Sequence, residues 1–218
     1  VLYNSPSRET LEWRSGLQSG TYRDWMSRVA AEIGEKSAWV ILEPDSVGLL
    51  PELSREDQDV RFLELRDAVR ILKSAAPNVR VYLDAGHSNW RRAENIAELL
   101  LKAGIAEADG LTTNVSNFQS LSDELVYGKR VSELVGGKHF IIDTSRNGDG
   151  PAQNAEWCNP PGRALGLRPT VDTGEPLVDA YLWVKPPGES DGTCNDGPSA
   201  GTFWLSYALS LVREAVYP

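Results

Sequence analysis

The chain has 218 residues, 41% hydrophobic and 24% charged, enough for one large α/β domain with a full core. A formal net charge of −9 argues against a nucleic-acid partner, because polyphosphate binding needs a clustered basic surface. No apolar run approaches the length of a membrane span, so no bilayer is expected either.

Val1-Leu2-Tyr3-Asn4 reads as the end of a strand, which suggests a mature or truncated form with something missing upstream. Residues 22–34 carry Trp25, Val29 and Ile33 on one helical face, and Gly34 is a plausible stop. Ala38-Trp39-Val40-Ile41-Leu42-Glu43-Pro44-Asp45-Ser46 follows, an uncharged β-rich run ending in two carboxylates and a proline. Such a run reads as a strand buried on both faces, and Pro44 must end its ladder because it has no N–H. Glu43 and Asp45 are thereby delivered where α/β folds place their chemistry, although a solvated Asp in a plain turn fits the same residues.

A loop is expected to Pro51, then a helix over 57–76 with Val60, Leu63, Leu65, Val69 and Leu72 on its apolar side. Strand 79–83 ends in Asp84-Ala85-Gly86-His87, and helix 91–103 closes at Gly104. A weaker strand over 110–115 runs into Asn114 and Asn117, and helix 121–135 closes at Gly136-Gly137. Strand 139–142 ends in Asp143-Thr144-Ser145-Arg146-Asn147. The irregular, Gly/Pro-rich stretch 148–176 is long enough to be functional or disordered. Strand 180–184 ends in Lys185-Pro186-Pro187-Gly188-Glu189-Ser190-Asp191-Gly192, and helix 203–216 closes the chain.

Strand-like runs thus alternate with helices, which means parallel strands with right-handed crossovers. A doubly wound sheet would spread the polar strand exits along an edge, whereas a barrel gathers Arg8, Glu9, Asp45, Asp84, His87, Asn114, Asp143, Arg146, Lys185, Glu189 and Asp191 around one axis. A βα-barrel is the expectation. Seven Trp could serve the core or stack on sugar faces in a cleft. Cys158 and Cys194 are either two buried thiols or one disulfide, the latter implying an oxidising compartment. Clustered carboxylates with hardly any His or Cys fit a hard-cation site, or acid/base catalysis by carboxyls of separated pKa.

Six stretches together resemble glycoside hydrolase family 6. They are Val40-Ile41-Leu42-Glu43-Pro44-Asp45-Ser46, Tyr82-Leu83-Asp84-Ala85-Gly86-His87, Thr113-Asn114-Val115-Ser116-Asn117, Ile142-Asp143-Thr144-Ser145-Arg146-Asn147-Gly148, Glu156-Trp157-Cys158-Asn159 and Trp183-Val184-Lys185-Pro186. The resemblance covers the whole chain and implies a single catalytic domain over 1–218 on a distorted, incomplete parallel βα-barrel. It implies an inverting β-1,4-glucanase using no metal or cofactor, secreted and monomeric, with β-1,4-glucan as its partner. Asp45 matches the proton donor, Asp191 the base or charge partner, and Asp84 a carboxylate that supports the donor's protonation. His87, Trp90, Asn114, Trp157, Lys185 and Glu189 match substrate-cleft positions. For His87 and Asn114, hydrogen bonds that hold loops stand beside direct sugar contact as a role.

Tyr3-Asn4-Ser5-Pro6-Ser7-Arg8-Glu9-Thr10 resembles another family stretch, which brings Tyr3 and Arg8 to the cleft and Glu9 to a catalytic Asp position. Ser15 falls in the loop where a serine positions the attacking water. Glu9 adds a methylene to that Asp, and Thr10 replaces a cysteine, so only a Cys158–Cys194 disulfide is expected. The family's first strand and a cleft tryptophan are expected upstream of Tyr3 and are missing. Short segments after Asp45 and Asp191 predict an open groove, hence internal cleavage by an endoglucanase. The alternative is an impaired homologue that binds β-glucan without efficient turnover. Inversion asks for carboxyls roughly 6.5–9.5 Å apart or further, with water between.

Overall fold

The uncharged β-rich runs do form strands. In the computed structural model, which describes residues 17–215, they build one parallel sheet: β1 (Ala38–Leu42), β2 (Val79–Asp84), β3 (Gly110–Thr113), β4 (His139–Asp143) and β5 (Val178–Leu182), in that spatial order. The helices are α1 (Leu17–Ile33), α2 (Ser46–Leu49), α3 (Arg55–Ala75), α4 (Ala93–Ala103), α5 (Leu121–Leu134) and α6 (Leu205–Glu214). The strand expected at residues 1–4 lies outside the described residues.

Strand parity sorts the side chains between two faces. Val40, Leu42, Val81, Leu83, Leu111, Phe140 and Ile142 pack outward against Leu65, Val69, Leu72, Ile96 and Leu100 of the helices. On the other face Tyr82, Ile141 and Ala180 form a smaller cluster with Trp39 and Leu182. That second face is concave. The Tyr82 hydroxyl donates to Asp179 Oδ2 at 2.7 Å, joining β2 to β5. In a flat sheet these strands would stand about 14 Å apart, three spacings, beyond the reach of the two side chains. Asp179 falls where the β4–β5 register slips, a bulge that aims it inward. The tyrosine ring crosses Gly110, where an added Cβ would come within 2.9 Å of it. The architecture is an incomplete α/β barrel, as expected.

Where boundaries differ from expectation, side chains have captured the backbone. Strand β5 ends at Leu182, not Val184, because the Val184 and Lys185 N–H groups donate to the Asp143 carboxylate at 3.3 and 3.1 Å. Strand β3 stops at Thr113, where Asn114 turns to φ +63°. Helix α3 starts earlier than expected, behind Ser54, whose hydroxyl accepts the Asp57 N–H at 3.1 Å as an N-cap. The loop expected after Asp45 instead contains α2 and a 3₁₀ turn, Leu50–Glu52. The stretch 148–176 has no helix or regular strand, as anticipated.

Candidate active site

Strand β1 leaves the sheet through two left-handed residues, Glu43 at φ +48° and Asp45 at φ +67°. Non-glycine residues there cost on the order of 1–3 kcal/mol each and persist only where the surroundings fix them. Glu43 is fully buried and accepts the Tyr22 hydroxyl at 2.8 Å. Asp45 is half-buried, and its own N–H donates to Asp84 Oδ2 at 2.8 Å. The strained turn thus clamps Asp45 onto the end of β2.

Asp84 is fully buried on the concave face. Its Oδ1 accepts the Thr112 hydroxyl at 3.2 Å. Burial pushes the Asp45 carboxyl up to about 6. Burial also raises Asp84, as does the charge of Asp45, while the N–H groups of Asp45 and Gly86 and the Thr112 hydroxyl pull it down. Among the described residues no such donors reach the Asp45 carboxyl. The hydrogen bonds offset only part of the rise in Asp84, which is still pushed up to about 8, so the coupled pair as a whole retains a proton near pH 7.

The loop after β2 carries His87 and Trp90, whose ring centroids lie 5.9 Å apart. Burial pushes His87 down to about 4, so the imidazole is neutral near pH 7. Trp90 lies across Gly48 and Gly86, where a Cβ would approach its ring to 2.6 and 2.7 Å. Those two glycines let the indole sit flat beside the α2 turn that begins at Asp45.

A second carboxylate stands at the exit of β5. Asp191 Oδ2 accepts Arg146 Nη1 at 2.7 Å and the Asn159 N–H at 3.0 Å, and its Oδ1 lies 3.3 Å from Lys185 Nζ. Lys185 also faces Glu189 at 4.0 Å. Arg146 is fully buried, stacks 4.3 Å from the Phe118 ring centroid and donates a further bond to the Ser116 carbonyl. Asn159 closes the clamp by accepting the Asp191 N–H at 2.8 Å. Beside it Cys158 and Cys194 form a disulfide, pinning the long loop to the segment after Asp191.

Asn114 is fully buried, with its side chain holding the Gln119 N–H at 3.0 Å and the Asp143 carbonyl at 2.8 Å. It joins strand exits. Asp143 does the same on a larger scale, accepting the N–H groups of Ser116, Ser145 and Lys185 at 2.9, 2.8 and 3.1 Å. Trp157 is 62% exposed on the disulfide loop. Tyr3, Arg8, Glu9 and Ser15 lie outside the described residues.

The sequence placed Arg146 at a strand exit without a role and passed over Asn159. A buried arginine between carbonyl and carboxylate leaves no periodic signal. Its appearance within a run of polar residues at the end of β4 was the available hint. Among the described residues no three His, Cys, Asp or Glu converge as a metal ion would require, and no helix is long and apolar enough to cross a membrane.

A parallel α/β half-barrel with carboxylates at the C-terminal ends of its strands defines the class. The sequence matches the family described as Glycosyl hydrolases family 6 over residues 1–215. It is 43% identical over 216 residues to Endoglucanase A of Cellulomonas fimi, covering 99% of this chain and 46% of that protein. It is 44% identical over 192 residues to Endoglucanase 1 of Streptomyces sp. (strain KSM-9), covering 87% and 52%. The fold superposes on the endoglucanase Cel6 from Mycobacterium tuberculosis, solved with methyl-cellobiosyl-4-deoxy-4-thio-β-D-cellobioside, with a TM-score of 0.90 at 44% identity over 98% of this chain and 74% of that one. This chain belongs to glycosyl hydrolase family 6, and spans about half the length of these curated relatives.

Proposed function

We propose that this chain carries the active site of a secreted, monomeric, inverting endo-β-1,4-glucanase that hydrolyses cellulose and related β-glucans. The observation that carries the proposal is the Asp45–Asp84 pair, a half-buried acid raised to about 6 beside a buried carboxylate that accepts its N–H. Asp45 gives its proton to the glycosidic oxygen as the C–O bond breaks and is left ionised, and Asp84 beside it supports the donor's protonation until that transfer. Water attacks the opposite face of the sugar and loses its proton towards Asp191, directly or through further waters. Arg146 and Lys185 hold Asp191 in place for that task. Trp90 and Trp157 offer flat faces for sugar rings, with neutral His87 and the charged pair Lys185 and Glu189 as hydrogen-bonding partners. The relatives named endoglucanase support internal cleavage, and the disulfide supports an oxidising, extracellular setting.

Hydrolysis of carboxymethylcellulose tests the proposal. Asp45→Asn should lower kcat by a factor of about 100 or more, the usual worth of a general acid. The wild-type rate should fall on the alkaline side of about pH 6, as Asp45 loses its proton. The first product should be the α-anomer by NMR. Glucan binding with no Asp45-dependent turnover would leave only a binding protein, and a β-anomer would overturn inversion.

A further inference from the structure

Behind the wall that carries His87 and Trp90 lies a carboxyl with no part in the chemistry above. Glu124, on α5, is fully buried. Its Oε1 accepts the Ser88 N–H at 2.8 Å, whereas Oε2 has no hydrogen-bond partner among the described residues. Burial pushes this carboxyl up to about 7, with the Ser88 N–H and the hydroxyls of Ser88 and Thr113 pulling it back. One helical turn on, the Tyr127 hydroxyl donates to the Ala85 carbonyl at 2.9 Å. Two side chains from one helix therefore hold both ends of the segment 85–88.

The far side of that segment is the cleft. Trp90 N–H donates to the His87 carbonyl at 3.0 Å, and the indole lies over Gly86 and over Gly48 in α2. Arg91 Nε reaches the Gly48 carbonyl at 2.9 Å. Any shift of Ser88 thus moves the imidazole and the indole against the turn that begins at Asp45. A fully buried carboxyl is a costly way to hold a backbone N–H. An apolar side chain of similar volume would fill the same space without that cost.

We propose that Glu124 is a positioning residue for the glucan cleft, fixing through the Ser88 N–H where His87 and Trp90 stand beside Asp45. The proposal rests on the glucanase function above for its substrate, but not for its first readout. The chain contains two histidines, so the His87 imidazole can be followed by NMR against His139. In the wild type His87 should stay neutral down to about pH 5, as its burial requires. Glu124→Met, which removes the acceptor and leaves little void, should hydrate the loop and move the midpoint up to about 6. Glu124, raised to about 7, is itself protonated across that range, so the substitution removes no charge there and the upward shift reports the loop. Glu124→Gln keeps an acceptor oxygen and should titrate as the wild type does.

With cellotetraose, Glu124→Met should raise KM about tenfold with kcat within about twofold. In a Trp90→Ala background the same change should add nothing, because the two side chains act on one wall. A His87 midpoint unmoved in a folded Glu124→Met variant would overturn the proposal, as would KM effects that simply add. Should the wild type hydrolyse no β-glucan, the functional proposal falls while the His87 titration still decides the positioning role.

Discussion

At the scale of single residues, the site is built by spending stability on buried charge and on backbone strain. Glu43 and Asp45 both sit in the left-handed region, and a Pro between them fixes the turn. That strain aims one N–H at Asp84 and so couples two carboxyls that sequence separates by thirty-nine positions. Arg146 and Asp191 solve the opposite problem, a buried cation and anion satisfying one another at 2.7 Å. Glu124 is the group for which burial has a simple pH consequence. Its folded pKa, up to about 7, lies above the ordinary value of 4.5. Between those two pH values the folded chain holds a proton that the unfolded chain has released. Stability therefore falls as pH rises through this window, by no more than about 3 kcal/mol. Glu124→Gln should flatten that dependence, measured as urea midpoints at pH 5 and pH 7.5. A slope equal to the wild type's would show that the carboxyl does not titrate there.

Among elements, α3 packs between α1 and the convex face of the sheet. Leu65, Val69 and Leu72 are fully buried along one side of it, while Leu63, expected on the same side, is 55% exposed. The i, i+3, i+4 spacing was readable, but the width of the buried stripe depends on how α1 and α4 flank the helix. Leu72→Ala should cost about 2–5 kcal/mol through lost burial and the cavity left behind. Chemical denaturation would measure it, and a change below about 1 kcal/mol would mean that the site collapses freely. The disulfide belongs to this scale as well. It closes a separation of 36 residues through a region without regular structure, worth roughly 3–4 kcal/mol by chain entropy. Replacing both cysteines by serine should lower the urea midpoint accordingly. It should also weaken turnover, because Asn159 and Asp191 lie within the segments it joins.

For the molecule as a whole, curvature is what turns strand exits into a cleft. Tyr82 and Asp179 tie β2 to β5 across the concave face, which holds the sheet in its curl. The short connections after Asp45 and between Asp191 and α6 leave little chain to roof that space. On the glucanase function proposed above, an unroofed groove would admit the middle of a polymer. The viscosity of carboxymethylcellulose should therefore drop well before reducing ends accumulate. A viscosity loss that merely tracks reducing-end release would indicate attack from chain ends.

The sequence alone determined the alternation of strands and helices, the parallel order and the placing of Asp45 and Asp84 at strand ends, whereas Asp191 lies in the loop well past β5. Those features depend on short-range periodicity and on proline's missing N–H, which local sequence encodes. It also carried the family motifs, most of which fall at or just past strand ends. Only the tertiary structure decided that Asn114 and Asp143 tie loops together, that Arg146 is buried against Asp191, and that Glu124 stands behind the His87 wall. Hydrogen bonds between residues tens of positions apart depend on how far the sheet curls and where each loop closes. Neither quantity has a period that a linear chain displays.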